Sequence, residues 1–246
     1  MKRSLFADHH PYWFVVVMEV VVIFVYLLAG TVAHFMKLSN LELYGIANLG
    51  LTVIAAALLT RMGWWKVTGF RPAEKLSDLL YFVLPCLPMI INLIPGVQVT
   101  SLLLLLEILA TTLMVGFVEE AFFRGLMLNA LKAHGFWRAA IITSILFGLT
   151  HAMNLLAGKS VTEQAAQIVY ALAFGFAFAA LVLKKGILWP LVIAHFLIDF
   201  CNFIQRPGFT YPPFWTLLIT LSIAIIFTAY GLFVMLQKDK EKLIKS

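Results

Sequence analysis

The sequence predicts an all-α membrane protein, a bundle of eight transmembrane helices with both termini in the cytoplasm. Of its 246 residues, 62% are hydrophobic and only 12% are charged, whereas soluble domains carry about 25% charged residues. The mean hydropathy is +0.96. Eight apolar segments are long enough to cross a bilayer, which takes about 20 helical residues. Length and composition together indicate a single polytopic domain over residues 1–246.

The apolar segments follow one another with short connections between them. In order, they are Trp13–Phe35, Leu41–Thr60, Leu76–Val97, Ser101–Leu131, Trp137–Ala157, Gln164–Leu183, Gly186–Gln205 and Phe214–Leu236. The third contains Pro85, Pro88 and Pro95, so we expect it to be kinked or split, because proline removes a backbone donor. The fourth is too long for one perpendicular crossing, and we expect its C-terminal part to tilt or protrude.

Lysine and arginine residues predict the orientation of this bundle. One side carries Lys2, Arg3, Arg61, Lys66, Arg71, Lys75, Lys132, Arg138, Lys184, Lys185, Lys238, Lys240, Lys242 and Lys245. The other side carries only Lys37, Lys159 and Arg206. The positive-inside rule therefore places both termini in the cytoplasm. The excess of lysine and arginine on the predicted cytoplasmic side accounts for the net charge of +6. No basic aromatic patch indicates a nucleic-acid partner.

Ionisable residues inside three of the predicted spans are candidates for a functional site, because each costs free energy at membrane depth. They are Glu119, Glu120 and Arg124 in the fourth span, His151 in the fifth, and His195 and Asp199 in the seventh. The i,i+4 spacing predicts an ion pair between Glu120 and Arg124. Glu119 points about 100° away from Glu120, so we expect its partner to come from another helix.

Helical rise places these groups at one depth. Glu119 and His151 each lie roughly 20 Å along their helices from the same cytoplasmic connection. His195 and Asp199 lie about 15 Å and about 21 Å from Lys185 on the same side. Titratable groups from three helices are therefore predicted to converge on one level of the membrane.

Such a group of side chains suits the hydrolysis of a peptide bond. A carboxylate beside an imidazole can hold and deprotonate a water molecule, and a second imidazole with an amide or a protonated carboxyl can stabilise an oxyanion. Ser144 lies roughly 10 Å from His151 along the same helix, so water is the expected nucleophile. The same residue types could instead bind a divalent metal such as zinc, with Glu119, His151 and His195 as ligands, although no H-E-x-x-H spacing is present.

Three short motifs resemble those of a known family. E-E-A-F-F-R begins at Glu119, F-G-L-T-H runs from Phe147 to His151, and H-F-L-I-D runs from His195 to Asp199. They resemble the ordered motifs EExxxR, FxxxH and HxxxN/D of the CAAX prenyl protease and bacteriocin-processing family of intramembrane proteases, also called the abortive-infection family. The segment that carries them is expected to span about residues 101–206.

The resemblance implies an intramembrane endopeptidase that acts on membrane-associated peptide or protein precursors, and in prokaryotes on bacteriocins or signal peptides. It implies that Glu119, with His151, activates water, while Glu120 and Arg124 form a supporting pair. His195 and the residue at Asp199 would stabilise the oxyanion, with Asn202 as a substitute donor. The family's metal dependence stays open. The short chain favours a prokaryotic member in the cytoplasmic (plasma) membrane, with the lipid bilayer and a membrane-bound peptide as partners.

Two other functions fit the same sequence. A non-catalytic membrane protein that confers bacteriocin immunity or scaffolds a sensor could use the same fold. A proton-coupled transporter could use buried carboxylates and imidazoles as a relay, but transporters often contain inverted repeats and the sequence contains none.

Overall fold

The computed structural model describes residues 5–155 and 160–237, and the regular structure within these ranges is helical. The α-helices are α1 (Phe6–His9), α2 (Pro11–Met36), α3 (Asn40–Met62), α4 (Leu87–Leu93), α5 (Leu102–Glu119), α6 (Leu128–Leu131), α7 (Phe136–Thr150), α8 (Val161–Lys185), α9 (Trp189–Phe203) and α10 (Pro213–Leu236). Outside the described residues lie Ala157, the predicted end of the fifth span, and the topology residues Lys2, Arg3, Lys159, Lys238, Lys240, Lys242 and Lys245.

Within the described ranges, seven helical stretches are long and apolar enough to cross a membrane. They confirm a multi-pass membrane protein. The remaining predicted span is α9, which has 15 residues and is about 22 Å long, less than the hydrocarbon thickness of about 30 Å. The count of eight spans and the cytoplasmic placement of the termini therefore stay predictions.

The proline-rich third segment is broken, as predicted. It consists of two 3₁₀ pieces, Leu76–Phe82 and Leu84–Cys86, followed by the short helix α4. Pro85 and Pro88 occupy first-turn positions of the second and third pieces, where the missing N–H leaves no hydrogen bond unmade. The long fourth segment is continuously helical over Leu102–His134, 33 residues in all.

Hydroxyl caps fix where two of the spanning helices begin. Before α3, Ser39 Oγ accepts from the Glu42 N–H at 3.2 Å, and Glu42 Oε2 accepts from the Ser39 N–H at 2.7 Å. Ser160 and Glu163 repeat the arrangement before α8. Each capping box provides partners for N–H groups that the first turn of a helix would otherwise leave unpaired.

Close packing of α5 on α9 positions the candidate site. At Gly116 of α5, a Cβ atom would lie 2.8 Å from the Phe196 nitrogen and 2.9 Å from the Val192 oxygen. Only glycine allows two helix backbones to approach so closely. Because Glu119 and Glu120 follow one turn after this contact, the same approach brings them to α9, which carries His195.

Substitution of Gly116 by alanine is predicted to destabilise the protein by about 1–3 kcal/mol, because the added methyl group meets backbone atoms that cannot rotate away. The measurement is thermal unfolding of the purified protein in detergent. Gly30→Ala is the matched control, since a Cβ atom at Gly30 of α2 meets nothing within 4 Å. Equal unfolding temperatures for the two variants would contradict the close contact of α5 and α9.

Candidate active site

The fourth predicted span changes its helical form at the site. α5 ends at Glu119, and the chain continues as a π-helix over Glu120–Met127, in which every residue is buried. Nothing in the sequence pattern predicted this change, although π-helical turns are frequent at functional sites. The predicted i,i+4 ion pair is confirmed: Arg124 Nη1 lies 3.2 Å from Glu120 Oε1, and the two side chains are 1% and 0% exposed.

Aromatic rings surround the Arg124 guanidinium, whose Nη1 and Nη2 are buried without a hydrogen-bond partner. Its central carbon lies 4.1 Å from the ring centroid of Phe147 and 5.6 Å from that of Phe178. Both distances allow cation–π attraction, which is stronger where water is excluded. The phenylalanine of the FxxxH motif therefore covers the buried cation. Gly175 of α8 leaves room for that ring, since a Cβ there would lie 3.3 Å from Phe147 Cδ1 and 3.2 Å from Ser144 Cα.

The imidazole of His195 lies at the centre of three carboxyl groups. Its Nδ1 is 2.9 Å from Glu120 Oε1, while its Nε2 is 3.3 Å from Glu119 Oε2 and 3.8 Å from Asp199 Oδ2. Glu119 thus finds its partner on another helix, as predicted. A neutral imidazole has one N–H. For both ring nitrogens to face carboxyl oxygens favourably, either the ring is protonated or one of the acids keeps its proton.

His151 lies next to this cluster without joining it directly. It begins the 3₁₀ turn His151–Leu155 at the end of α7, and its Nδ1 is 2.8 Å from the Phe147 carbonyl oxygen. Because a carbonyl oxygen only accepts, Nδ1 carries the proton and Nε2 is left as an acceptor. The Phe147 ring lies between the two imidazoles, with its centroid 4.9 Å from that of His151 and 6.1 Å from that of His195.

Accessibility distinguishes the acids of the cluster. The side chain of Glu120 is 0% exposed, whereas those of Glu119 and Asp199 are 18% and 27% exposed. Glu119 and Asp199 are therefore partly open to their surroundings, whereas Glu120 is enclosed, although the Glu119 oxygen that faces His195 is itself buried. Asn202 is exposed, and its Oδ1 accepts from Gln205 Nε2 at 3.2 Å, so the described contacts do not bring it into the cluster.

The residues that the sequence offered as metal ligands do not form a three-ligand site. Within residues 5–155 and 160–237, no group of three His, Cys, Asp or Glu side chains is arranged to hold a metal ion. His195 directs one nitrogen at Glu120 and the other at Glu119 itself. His151 donates its Nδ1–H to a backbone carbonyl and keeps Nε2 as an acceptor, but it does not meet the other two residues around one point. This donor set does not fit zinc, which in catalytic sites takes three protein ligands around one point.

A hydroxyl and two amides that the motifs do not include meet at the 3₁₀ turn that carries His151. The Tyr44 hydroxyl of α3 is 3.5 Å from Asn154 Oδ1, and Asn154 Nδ2 donates to Gln167 Oε1 at 3.1 Å. In the sequence, these three residues are recognisable only as polar side chains in or near apolar spans. That pattern could not show that their three separate segments meet.

A further buried acid touches the residue before His151. Glu19 of α2 is 9% exposed, and its Oε1 lies 2.6 Å from the Thr150 hydroxyl, which also lies 2.9 Å from the Leu146 carbonyl oxygen. The other oxygen of Glu19 is buried without a hydrogen-bond partner. Thr150 therefore joins α2 to the end of α7, one residue before the imidazole of the site.

Replacement of Thr150 by valine is predicted to lower stability by about 1–3 kcal/mol, because the buried Glu19 carboxyl loses its hydroxyl partner. Thr143→Val is the control on the same helix, since the Thr143 hydroxyl bonds only to carbonyl groups of its own helix. The measurement is thermal unfolding of both variants in the same detergent. A Thr150→Val protein as stable as Thr143→Val would show that the contact with Glu19 contributes nothing.

Comparison with known families agrees with the motifs. Residues 101–201 match the family model described as Rce1-like, type II CAAX prenyl endopeptidase. The match covers α5 to α9, which are the elements that carry the whole cluster around His195. It confirms the resemblance drawn from the three motifs and supports, at the level of the family, a CAAX-type protease of the membrane. None of the curated proteins matches the chain.

Proposed function

We propose, on the premise that residues 101–201 carry the domain of the Rce1-like family, that the protein is an intramembrane endopeptidase. Its substrate is a membrane-associated peptide or protein precursor, such as a bacteriocin or a signal peptide in a prokaryotic cytoplasmic membrane. One observation carries the proposal: Glu119 is partly exposed and contacts His195, whose other ring nitrogen is held by the fully buried Glu120. The carboxyl group of a partly exposed side chain is thus paired with an imidazole of fixed orientation.

Glu119 acts as the general base in this proposal. It takes one proton from a water molecule while the water oxygen forms a bond to the carbonyl carbon of the substrate. His151, which keeps Nε2 as an acceptor, receives a hydrogen bond from the same water and orients it. When the C–N bond breaks, Glu119 returns the proton to the leaving amine. The products are a carboxylic acid and an amine, and the atoms of one water molecule are divided between them.

His195 stabilises the negative charge that develops on the carbonyl oxygen. Its Nδ1–H donates to Glu120, which turns Nε2 toward Glu119 and Asp199, so a protonated ring directs its second N–H into the site. A donor that is already oriented needs no reorganisation during the reaction. Asp199, in its protonated form, donates a second hydrogen bond. An ionised Asp199 would instead repel the oxyanion.

Glu119→Gln is predicted to reduce peptide cleavage by about 10²–10⁴-fold, the usual contribution of a general base. The measurement compares membrane peptidomes of cells that express the wild type or the variant at equal levels. Glu107→Gln is the control, because Glu107 lies on the same helix but lines a groove with Glu42 away from the cluster. Unchanged peptidomes with an intact biological effect would contradict the protease and favour the non-catalytic scaffold.

Activity is predicted to survive metal chelation, because the donor set does not provide three ligands around one point. The purified protein is dialysed against a chelator, its metal content is measured, and cleavage of a peptide identified from the peptidome is followed. The rate is expected to stay within about twofold of the untreated protein. Stoichiometric bound metal, together with loss of activity on chelation and recovery with zinc, would contradict the water mechanism proposed here.

A further inference from the structure

Glu19 of α2 is a buried acid that the proposed mechanism does not use. It is 9% exposed, and its Oε1 lies 2.6 Å from the hydroxyl oxygen of Thr150, the last residue of α7. Its other oxygen, Oε2, is buried without a hydrogen-bond partner. Because α2 precedes residues 101–201, the segment that matches the family, this contact joins a helix outside that segment to the turn that carries His151.

The hydrogen bonds of Thr150 indicate that Glu19 is a neutral carboxylic acid. The Thr150 hydroxyl also contacts the Leu146 carbonyl oxygen at 2.9 Å, and a carbonyl oxygen only accepts. A threonine hydroxyl has one proton, so when it donates to Leu146, the proton of the 2.6 Å contact comes from Glu19. An ionised Glu19 would instead leave a negative oxygen buried without a partner, which costs far more than a neutral one. Within the described part of the chain, no basic side chain pairs with Glu19 to offset that cost.

Two side chains bond to the last carbonyl groups of α7. Thr150 bonds back to Leu146, and His151 donates from Nδ1 to the next carbonyl, that of Phe147, at 2.8 Å. Each side chain reaches the carbonyl four residues before it, at the point where the α-helix gives way to the 3₁₀ turn His151–Leu155. The position of Thr150 therefore influences the position of the turn from which the imidazole projects.

The imidazole of His151 is held within its own turn. Among the described hydrogen bonds, its ring has only the Phe147 carbonyl as a partner. The ring of His195, by contrast, is held by Glu120 from a different helix. The contact of Glu19 with Thr150 gives the turn of His151 a polar anchor on a second helix, one residue before the imidazole.

We propose that Glu19 is a positioning residue for the peptidase reaction. As a neutral acid it donates to Thr150, fixes the end of α7, and so sets the direction in which His151 presents Nε2 to the attacking water. Glu19 itself neither touches the substrate nor exchanges a proton during the reaction. This inference rests on the proposed function and extends the machinery of the site from the matched segment into α2.

Two variants of Glu19 test the inference on a peptide whose cleavage site is mapped in the membrane peptidome. Glu19→Gln keeps a donor of similar size, because the amide N–H₂ replaces the acid O–H, and its kcat is predicted to stay within about twofold of the wild type. Glu19→Leu removes the donor, and its kcat is predicted to fall by about 10–10²-fold, the cost of a displacement of about 1 Å in the reacting geometry. KM for both variants is expected to stay within about twofold, since substrate binding is unchanged.

Either of two kinetic results would overturn the inference. A wild-type kcat for Glu19→Leu would show that the contact positions nothing. A Glu19→Gln protein as impaired as Glu19→Leu would show that the donated hydrogen bond is not what matters. Circular dichroism in detergent confirms that each variant is folded at the assay temperature.

Variants of Thr150 provide the same test from the other side of the contact, and they serve if Glu19→Leu does not fold. Thr150→Ser keeps the hydroxyl and is predicted to keep kcat, whereas Thr150→Val is predicted to lose as much kcat as expected for Glu19→Leu. The double variant should lose no more than either single variant, because two groups of one hydrogen-bonded chain are coupled. Equal kcat values for Thr150→Ser and Thr150→Val would refute the positioning role.

Nitrogen NMR of the histidine rings separates positioning from stability. With the signals of His151 identified by their loss in His151→Gln, the wild type should show one neutral tautomer, protonated at Nδ1. Glu19→Leu is predicted to show a mixture of forms and Glu19→Gln the single form. Thr143→Val, which removes a hydroxyl that bonds only within α7, is the control and should keep the single form. A less stable Glu19→Leu protein with wild-type ring signals and kcat would reduce Glu19 to a structural residue.

The proposed function and this inference can fail separately. If wild type and Glu119→Gln give the same peptidome, the protease falls and the positioning role falls with it. If the wild type cleaves, Glu119→Gln does not, and Glu19→Leu cleaves as fast as the wild type, only the role of Glu19 falls.

Discussion

The rest of the site depends on the ion pair between Glu120 and Arg124, which lies in a fully buried part of the bundle. Removing a guanidinium and a carboxylate from water costs several kcal/mol for each ion, and mutual attraction offsets this only when the geometry is good. Here the ring of Phe147 covers the cation, and His195 approaches the same oxygen of Glu120. The ion pair therefore fixes the orientation of the His195 imidazole, in addition to neutralising its own two charges.

Two adjacent glutamates can then have different roles. Their side chains leave the helix about 100° apart, so Glu120 faces the interior while Glu119 reaches the accessible side of His195. Close approach of α5 and α9 at Gly116 makes this division possible. A single helix end thus supplies both a structural acid and the acid that the proposed mechanism uses as a base. The imidazole between them is fixed by the first and directed toward the second.

Helical spacing was sufficient to predict the ion pair and the meeting of Glu119 with a group on another helix, because both follow from rise and angle along one chain. The π-helix and the short length of α9 were not predictable, since they depend on how neighbouring helices pack. The direct partner of Glu119 is His195 and not His151 among the described contacts, and spacing alone could not choose between two imidazoles at similar depth. Tyr44 was missed because no local pattern connects α3 to the motifs.

The most direct measurement is a double-mutant cycle on kcat/KM with Glu119→Gln and His195→Gln. If the two residues act as one unit, the double variant should be about as impaired as the worse single variant, because groups that act together are strongly non-additive. The stability of each variant is measured in parallel. Losses that multiply, as they do for independent sites, would contradict the account that Glu119 and His195 form a single reactive pair.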